Sequence, residues 1–433
     1  MIEQDLSIED ELDAEIILAD QRYEIIGDIL CEVYQEGSEK WTLSDMLDKV
    51  FLHNYLGIPV FLVIVWTMFH FTFQVSLVFM AMIEAAFSLL GGLTAQIPVP
   101  WLASLLTDGI IGGVGFILVF VPPIFFMYFA ISILEDSGYL ARAAFVMDRV
   151  MVKMGLHGRS FIPLLIGFGC NVPAVMAART VDGDANRLTT ILVSPLMSCA
   201  ARLPVYVLIA GVFFPAYAGT VIFLLYLLGI VFAVVMALVF KKTLFREESA
   251  PFLMELPMYQ RPTFHGSVVH MWERGVLFLK KAGTFLMLGA ITLWFMSYVG
   301  PGGIGVSVED SFVSILGKAA EPIFAPLGFD WQIITGLIFG LLAKEFVVES
   351  LGIIYSVEGN LAIGAALASS LSTVSAFALL VFVLLYTPCI ATVGVIRRET
   401  GSSKWALFSV VYQLILAYAV ALLVITVGGL VFV

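Results

Sequence analysis

The chain has 433 residues, of which 60% are hydrophobic and 13% are charged, and its mean hydropathy is +1.00. Soluble domains contain roughly half apolar and about a quarter charged residues, so this composition excludes a soluble globular protein and indicates a polytopic membrane protein. The formal net charge of −12 is concentrated at the start of the chain, because residues 1–55 hold 15 acidic and 3 basic residues whereas the remainder holds 19 of each.

Residues 1–55 are predicted to form an acidic, helical headpiece on the cytoplasmic side. Hydrophobic residues recur there at alternating steps of four and three, which places them on one stripe of a helix. The stripe consists of Leu12, Ile16, Ala19, Tyr23, Ile26, Leu30 and Val33. It is expected to pack on another part of this chain, on a second copy in a homo-oligomer or on a separate partner protein.

Six uncharged apolar stretches follow the headpiece, and each is at least as long as the ~20 residues that cross a bilayer as a helix. They run from Ile58 to Ile83, Ile110 to Leu134, Leu203 to Phe240, Ala282 to Val308, Gly359 to Ile396 and Trp405 to Val433. The predicted fold is therefore all-α, with about seven to nine membrane segments.

Lysine and arginine residues near the spans indicate which loops face the cytoplasm. The loop 81–109 contains none, whereas segment 135–160 contains four and segment 241–281 contains seven. The two basic segments share the cytoplasmic side only if Phe161–Ala178 enters the membrane and returns on that side. The same reasoning requires Trp331–Tyr355 to enter and return on the outer side, so two broken, re-entrant helices on opposite faces are predicted.

The segments around these broken helices then form two repeats of opposite orientation. The predicted organisation is the headpiece at 1–55, a first transmembrane helix and outer amphipathic segment at 56–109, a first repeat at 110–240, a basic cytoplasmic linker at 241–275 and a second repeat at 276–433. A weak similarity between "SPLMSCAARLPV" and "LLYTPCIATVGV" supports the pairing, since each places a hydroxyl and a cysteine beside a proline. Inverted repeats are the architecture in which transporters bind substrate near the membrane midplane, between broken helices.

Helix-breaking residues lie inside the apolar segments. They are Gly167, Gly169, Pro173, Pro204 and Pro388. Because proline has no amide hydrogen, these prolines are predicted to leave the carbonyls of Gly169, Ala200 and Leu384 without their helical partners. Unsatisfied backbone is tolerated in a bilayer only where it is buried in protein or lines a watery cavity.

Side chains that can bind a cation lie beside these predicted breaks. They are Cys170, Asn171, Ser198, Cys199, Thr387 and Cys389. Magnesium or calcium would require carboxylate and water oxygens, whereas thiols with mixed nitrogen and oxygen ligands suit iron, zinc or copper. The three cysteines are therefore predicted metal ligands in a transport pathway. The alternative is that they pack as small apolar residues.

Charged residues inside the apolar segments give a second signal. Lys344 and Glu345 follow the uncharged run "WQIITGLIFGLLA", and Glu349 lies one helical turn after Glu345. Ionisable groups within a membrane usually face a pathway, so both glutamates are predicted to line it, although Lys344 and Glu345 could instead form a self-contained pair. Arg179 and Arg202 are expected to anchor broken helix ends, since they would repel a cation.

Four segments resemble signature segments of the FeoB family, the prokaryotic ferrous iron transport proteins, whose membrane part holds two gate motifs. They are "GFGCNVPAVMAART", "SCAARLPVY", "AKEFVVESL" and "YTPCIATVGVIRRETGSSKWAL", and the resemblance extends from "ADQRYEII" onward. It implies a multi-pass protein of the prokaryotic plasma membrane with a cytoplasmic N-terminus, Fe²⁺ as the transported substrate and no bound cofactor. It also implies that Cys170 and Cys389 are gate cysteines and that Cys199 lies beside the first gate.

FeoB proteins begin with a cytoplasmic G domain whose phosphate loop reads G-x-x-x-x-G-K-[ST], and this string does not occur in the 433 residues. We therefore expect that the chain is not an enzyme. The headpiece is expected to be the remnant of the helical domain that follows the G domain. A separate G protein or a small accessory iron-transport protein is the expected partner on the headpiece stripe, and no nucleic acid is expected.

Two other functions remain open at this stage. A nucleoside-type carrier, or a carrier of Mn²⁺, Co²⁺ or Zn²⁺, could share the gate architecture. A nucleoside site would need many Asn, Gln and Glu side chains around a base and ribose, and the predicted membrane site offers almost none. A non-transporting scaffold or partner protein would need no opening between the two repeats.

Overall fold

The computed structural model describes residues 22, 25, 26, 29, 43–53, 56–94, 99–245, 259–355 and 360–431. The chain divides into two compact units, Met1–Lys49 and Val50–Val433. Within the first unit, Ile26 is the one member of the headpiece stripe that the structure describes; its backbone is helical and its side chain is exposed. The other members lie outside the described residues, so the stripe remains a prediction.

The described residues are almost entirely helical, which confirms the all-α prediction. The helices before the basic linker are α1 (Leu43–Phe51), α2 (Gly57–Thr94), α3 (Pro100–Ser104), α4 (Gly113–Val119), α5 (Val121–Asp136), α6 (Tyr139–Lys153), α7 (Phe161–Gly169), α8 (Asn171–Ala177), α9 (Asp184–Val193), α10 (Leu203–Phe213) and α11 (Ala218–Thr243). A π-helix, Leu105–Gly112, joins α3 to α4.

The second half of the chain begins with the long helix α12. The helices there are α12 (Phe264–Tyr298), α13 (Phe312–Phe324), α14 (Trp331–Phe339), α15 (Phe346–Tyr355), α16 (Asn360–Ser370), α17 (Thr373–Leu385), α18 (Ile390–Thr400) and α19 (Ser403–Val431). A short antiparallel hairpin of β1 (Val299–Gly300) and β2 (Gly303–Ile304) follows α12.

Five helical stretches among the described residues are long and apolar enough to cross a membrane. They are Gly57–Thr94, Asp184–Phe213, Ala218–Thr243, Thr373–Thr400 and Ser403–Leu430. The number rises to seven if each of two sharply bent helix pairs counts as one span, and the bends measure 79° between α5 and α6 and 107° between α13 and α14. A multi-pass membrane protein with broken helices is thus confirmed.

Both predicted interruptions are present. Cys170 separates α7 from α8 with an extended backbone, φ −153° and ψ 132°. Residues 340–345 form turns between α14 and α15. Each repeat also contains a second break, at residues 197–199 between α9 and α10 and at residues 386–389 between α17 and α18.

The predicted single span from Ile110 to Leu134 is wrong in detail. The structure divides it into the end of the π-helix, α4 and α5, with a turn at Phe120. Pro122 and Pro123 lie in the first turn of α5. Amide hydrogens in a first turn have no partner within the helix, so proline there costs no helical hydrogen bond. The prolines therefore start a new helix at this point.

Helix α17 forms the centre of the fold. Every residue from Ala378 to Leu385 is buried, so the helix is apolar on all sides, as expected for a helix surrounded by others. It packs against α19 of its own repeat and against α10 and α11 of the first repeat. The core is therefore shared by the two repeats.

Two polar contacts also join the repeats. The hydroxyl of Tyr412 on α19 donates a hydrogen bond to the carbonyl of Leu192 on α9. The guanidinium of Arg179, just after α8, bonds both carboxylate oxygens of Glu399 at the end of α18. Arg179 therefore acts as the predicted anchor, and its partner belongs to the other repeat.

The close approach of α13 to α14 is expected to depend on Gly317. A Cβ at this position would lie 2.6 Å from the carbonyl oxygen of Trp331 and would also collide with the Thr335 hydroxyl. Gly317→Ala should therefore lower the thermal unfolding midpoint in detergent or nanodiscs, because overpacking typically costs about 1–3 kcal/mol.

The matched control is Gly394→Ala on α18, where an added Cβ meets nothing within 4 Å. Alanine there should leave the midpoint unchanged or raise it slightly, since alanine favours a helix over glycine by about 1 kcal/mol. Equal midpoints for the two variants would show that α13 and α14 do not approach each other this closely.

Candidate functional site

A cavity of about 660 Å³ lies where the four breaks meet. The break residues in its wall are Gly169, Cys170, Asn171, Cys199, Leu342, Ala343, Lys344, Glu345 and Cys389. All three membrane cysteines, Asn171 and Glu345 therefore face one space between the two repeats, which we call the central cavity. The prediction that the two interrupted segments place their breaks close together is confirmed.

Three other predicted pathway residues do not line the central cavity. Ser198 is fully buried and donates a hydrogen bond to the Tyr206 hydroxyl at 3.1 Å. Thr387 is buried, and its carbonyl is used by Lys344. Glu349 lines a separate cavity. Among the predicted helix-breaking residues, Gly169 and Pro204 reach the central cavity wall, whereas Gly167, Pro173 and Pro388 do not.

The three thiols share the cavity without forming a compact ligand set. In the part of the chain that the structure describes, no group of three or more His, Cys, Asp or Glu side chains is placed to hold a metal ion together. Cys170 and Cys389 are partly exposed, Cys199 is buried, and the sulfur of Cys389 lies 3.2 Å from the Thr392 hydroxyl. Metal ligation by these cysteines therefore stays a prediction.

The prediction that the Ala200 carbonyl lacks a hydrogen-bond partner is wrong. The backbone N–H of Leu203 donates to it, because residues Ala200–Arg202 form a 3₁₀ turn with bonds between residues three apart. Pro204 then falls in the first turn of α10, where a missing amide hydrogen breaks no helical bond.

Arg202 bonds the carbonyls that this second break exposes. Its side chain is fully buried, and the two terminal nitrogens donate to the carbonyls of Met197 at 3.0 Å and Pro195 at 3.2 Å. A planar guanidinium can reach both oxygens at once. The expectation that Arg202 anchors a broken end is confirmed.

Lys344 plays the corresponding part in the second repeat. It is 3% exposed, donates from Nζ to the Thr387 carbonyl, and places Nζ 3.0 Å from the centre of the Tyr386 ring. The backbone N–H of Ile390 donates to the Leu341 carbonyl at 2.8 Å, so a backbone bond joins the same two breaks.

The alternative of a self-contained Lys344–Glu345 pair is not observed, since no ion pair joins these two side chains among the described residues. Glu345 instead lines the central cavity. Sequence reasoning misses Tyr386, whose aromatic ring receives the ammonium; the only signal for it is its position directly before "TPC".

Asn171 stabilises the first break. Its side-chain amide, oriented as its neighbours require, places the nitrogen 3.2 Å from the Gly167 carbonyl oxygen and 3.3 Å from the Ser194 carbonyl oxygen. The amide thus links the two breaks of the first repeat, as Lys344 links those of the second.

Comparison with known proteins agrees with this arrangement. The Gate family model, described as "Nucleoside recognition", matches residues 117–213 and 279–403, which fall within the two predicted repeats. The model for the C terminus of ferrous iron transport protein B matches residues 222–274.

Several curated relatives match most of the chain. The Fe(2+) transporter FeoB of Methanocaldococcus jannaschii is 44% identical over 97% of this chain and 64% of its own length. The FeoB of Campylobacter jejuni is 38% identical over 92% of this chain and 67% of its own length. The Fe(2+) transport protein A/Fe(2+) transporter FeoB fusion protein of Porphyromonas gingivalis is 43% identical over 97% of this chain.

The chain spans 56% of the Porphyromonas relative and 64% of the Methanocaldococcus relative. No solved structure matches it. Two broken-helix repeats around one cavity, each matched by the Gate model, define a gate-type, multi-pass membrane protein. The chain belongs to the FeoB family and corresponds to the membrane part of its members.

Arg202 provides a direct test of this site. Arg202→Met should markedly lower the thermal unfolding midpoint, because each buried carbonyl left without a donor costs about 1–3 kcal/mol. Arg202→Lys should have an intermediate effect, since one ammonium lacks the fork that reaches both oxygens. Cys199 should also react faster with a membrane-permeant maleimide in the methionine variant.

The control is Arg398→Met, which removes an exposed arginine from α18 and should leave both measurements unchanged. A methionine variant at position 202 that is as stable as the control would mean that the guanidinium does not support the break.

Proposed function

We propose that this chain is the permease part of a ferrous iron transporter and moves Fe²⁺ across the prokaryotic plasma membrane through the central cavity. The observation that carries the proposal is that Cys170, Cys199, Cys389, Asn171 and Glu345 reach one cavity from breaks in both repeats. The names of the relatives and the match to the ferrous iron transport protein B model support the choice of iron.

The chemistry of the wall suits a borderline cation. Fe²⁺ accepts thiolate, carboxylate and carbonyl ligands, so the cavity can replace part of its water shell. Conduction requires binding that is favourable on entry and weak enough for release. Three thiols spread around one wall fit this requirement, because the ion can pass from one sulfur to the next without being held by all three.

The two buried cations do not oppose the passage of Fe²⁺ as strongly as their number suggests. Arg202 and Lys344 are each bonded to backbone carbonyls, and Glu345 follows Lys344 at the cavity wall. The partial negative charges of the bonded carbonyls offset part of the positive field that the ion meets.

A nucleoside is a poorer fit than a cation, although the Gate model is described as "Nucleoside recognition". The cavity is large enough for a small molecule, but base and ribose require several hydrogen-bonding side chains. Asn171, Lys344 and Glu345 are the amide and charged side chains in its wall, and Lys344 is already bonded. Mn²⁺, Co²⁺ and Zn²⁺ remain the competing substrates. A non-transporting scaffold is disfavoured because an opening lies between the repeats.

The proposal includes a partner protein that binds the headpiece. These 433 residues contain no G-x-x-x-x-G-K-[ST] string, so we assign hydrolysis of GTP to a G domain outside them. The acidic headpiece, placed on the cytoplasmic side by the charge argument, is its docking site. The Porphyromonas relative is fused to Fe(2+) transport protein A, which supports a small accessory protein as a second partner on the same side.

Substitution of the cysteines tests whether they line the transport pathway. Cys170→Ser combined with Cys389→Ser nearly preserves size but exchanges soft ligands for hard, neutral ones, so Fe²⁺ uptake should fall roughly tenfold or more at equal protein level. Uptake of radioactive iron is measured in a bacterium lacking its own ferrous uptake system, with the G protein co-expressed. Addition of unlabelled Mn²⁺, Co²⁺ or Zn²⁺ in excess measures selectivity.

Cys31→Ser, which changes a cysteine outside the membrane segments, is the control and should transport normally. A thiol reagent should also label Cys170 or Cys389 in membranes, and Fe²⁺ should slow the labelling. Wild-type uptake by the double variant, with no labelling of either thiol, would identify the cysteines as packing residues.

Substitutions in the headpiece stripe test whether it binds the G protein. The purified chain is expected to release no phosphate from GTP by itself, whereas the G protein should be retained by the immobilised chain. Replacing Ile16, Tyr23 and Leu30 by aspartate should abolish this retention, because the change places charges on the apolar stripe. Insertion of the permease into membranes should be unaffected.

Serine substitutions at Asp10, Gln21 and Asp28, which lie on the opposite face of the same predicted helix, form the matched control and should preserve retention. GTP turnover by the purified chain that a non-hydrolysable analogue abolishes would contradict the assignment of hydrolysis to a G domain outside these 433 residues.

A further inference from the structure

A second cavity, of about 420 Å³, lies beside α15 and is distinct from the central cavity. The π-helix Leu105–Gly112, the end of α12 and the segment after the β-hairpin contribute its other walls. Its polar lining residues are Ser104, Thr107, Trp294, Ser297, Tyr298 and Glu349. Among the described residues, the lining thus contains one carboxylate, several hydroxyls and no lysine or arginine. We call it the outer cavity.

The walls of the outer cavity are held together by polar contacts. The indole nitrogen of Trp294 donates to the Ser104 hydroxyl at 2.9 Å, and the hydroxyls of Thr94 and Thr107 lie 2.9 Å apart. These contacts fix α12 and α2 to the start of the π-helix. Such π-helical turns are rare and are frequent at functional sites.

Ser297 indicates that the outer cavity holds a ligand. Its side chain is 9% exposed, and its hydroxyl has no hydrogen-bond partner. Buried polar groups are nearly always satisfied, so an unsatisfied one that lines a cavity calls for a missing partner such as an ion or its water. A hydroxyl and a carboxylate that line one cavity offer oxygen ligands, which hard and borderline divalent cations accept.

The cavity lies on the side from which an imported cation would arrive. Its walls come from the loop region 81–109, which lacks Lys and Arg, and from the region around 300–330, which contains only Lys318. These are the segments that the charge rule places outside.

One apolar cluster separates the two cavities. Leu293 and Phe346 belong to it and line the outer cavity, whereas Leu342 and Ala343 pack against it and line the central cavity. The outer cavity therefore lies across one apolar cluster from the break between α14 and α15, where Glu345 lines the central cavity.

We propose that the outer cavity is a binding site for a divalent metal cation that keeps much of its water shell, with Glu349 as the anionic ligand and the Ser297 hydroxyl as a second oxygen contact. Six waters occupy about 180 Å³ at about 30 Å³ each, so a hydrated ion fits the volume. Oxygen ligands collect the ion here, and the thiols remove more of its water in the central cavity. This inference rests on the proposed function for the direction of transport but not for the binding itself.

The test measures Mn²⁺ binding to the full chain in nanodiscs. Binding is monitored by electron paramagnetic resonance as the loss of the signal of the free ion. Mn²⁺ prefers oxygen ligands, so it reports on the outer cavity rather than on the thiols. Glu349→Gln should weaken one Mn²⁺ site by about 10- to 100-fold. Glu273→Gln, which changes an exposed carboxylate that lines neither cavity, should leave the titration unchanged.

Ser297→Ala separates ligation from a structural role. Removal of an unsatisfied hydroxyl should leave the thermal midpoint unchanged or raise it, while Mn²⁺ affinity falls about fivefold, the value of one typical hydrogen bond. A variant that loses affinity only as it loses stability would overturn the proposed contact of Ser297.

The cysteine variants make the outcomes distinguishable. Cys170→Ser with Cys389→Ser should keep the Mn²⁺ site that Glu349→Gln removes. A Mn²⁺ titration that is identical for the wild type and Glu349→Gln overturns this inference, and Fe²⁺ uptake by the wild type then still supports the proposed function. Absence of uptake by the wild type with its G protein, together with a Glu349-dependent Mn²⁺ site, overturns the proposed function and leaves the site.

Discussion

A broken helix in a membrane exposes backbone carbonyls where no bulk water can bond them, and the fold depends on how they are satisfied. In this protein, side chains from the broken segments supply the donors. Arg202 bonds two carbonyls of the first repeat, Lys344 bonds one of the second, and the Asn171 amide lies between two more. The four breaks can therefore meet around one cavity without leaving these groups unpaired.

This use of cations divides the polar groups of the membrane interior into two sets. Arg202 and Lys344 bond backbone carbonyls, whereas the three cysteines and Glu345 line the cavity without bonding the broken backbone in this way. The same residues that stabilise the broken helices thus leave a wall that can accept a cation. The short motifs "SCAAR" and "AKE" each supply one side chain that bonds broken backbone and one that lines the cavity.

The sequence predicts the breaks well because glycine and proline act locally. The interruptions at Cys170 and at residues 340–345 follow from such residues and from loop charges. The state of the Ala200 carbonyl could not be predicted, because it depends on whether the turn is 3₁₀ or α-helical. The prediction that Glu345 and Glu349 line one pathway requires both to lie on a continuous helix. Helix α15 begins only at Phe346, after Glu345, and the two glutamates line different cavities. The partners of Lys344 depend on contacts 43 residues away.

The backbone bond between Ile390 and Leu341 has a mechanical consequence. Because it joins main-chain atoms, only proline at position 390 would remove it, and it ties the segment after α14 to the start of α18 whichever side chains line the cavity. A displacement of one of these ends is therefore passed directly to the other. The sharp corners of the fold lie elsewhere, between α5 and α6 and between α13 and α14, where Gly138 and Gly328 adopt positive φ angles.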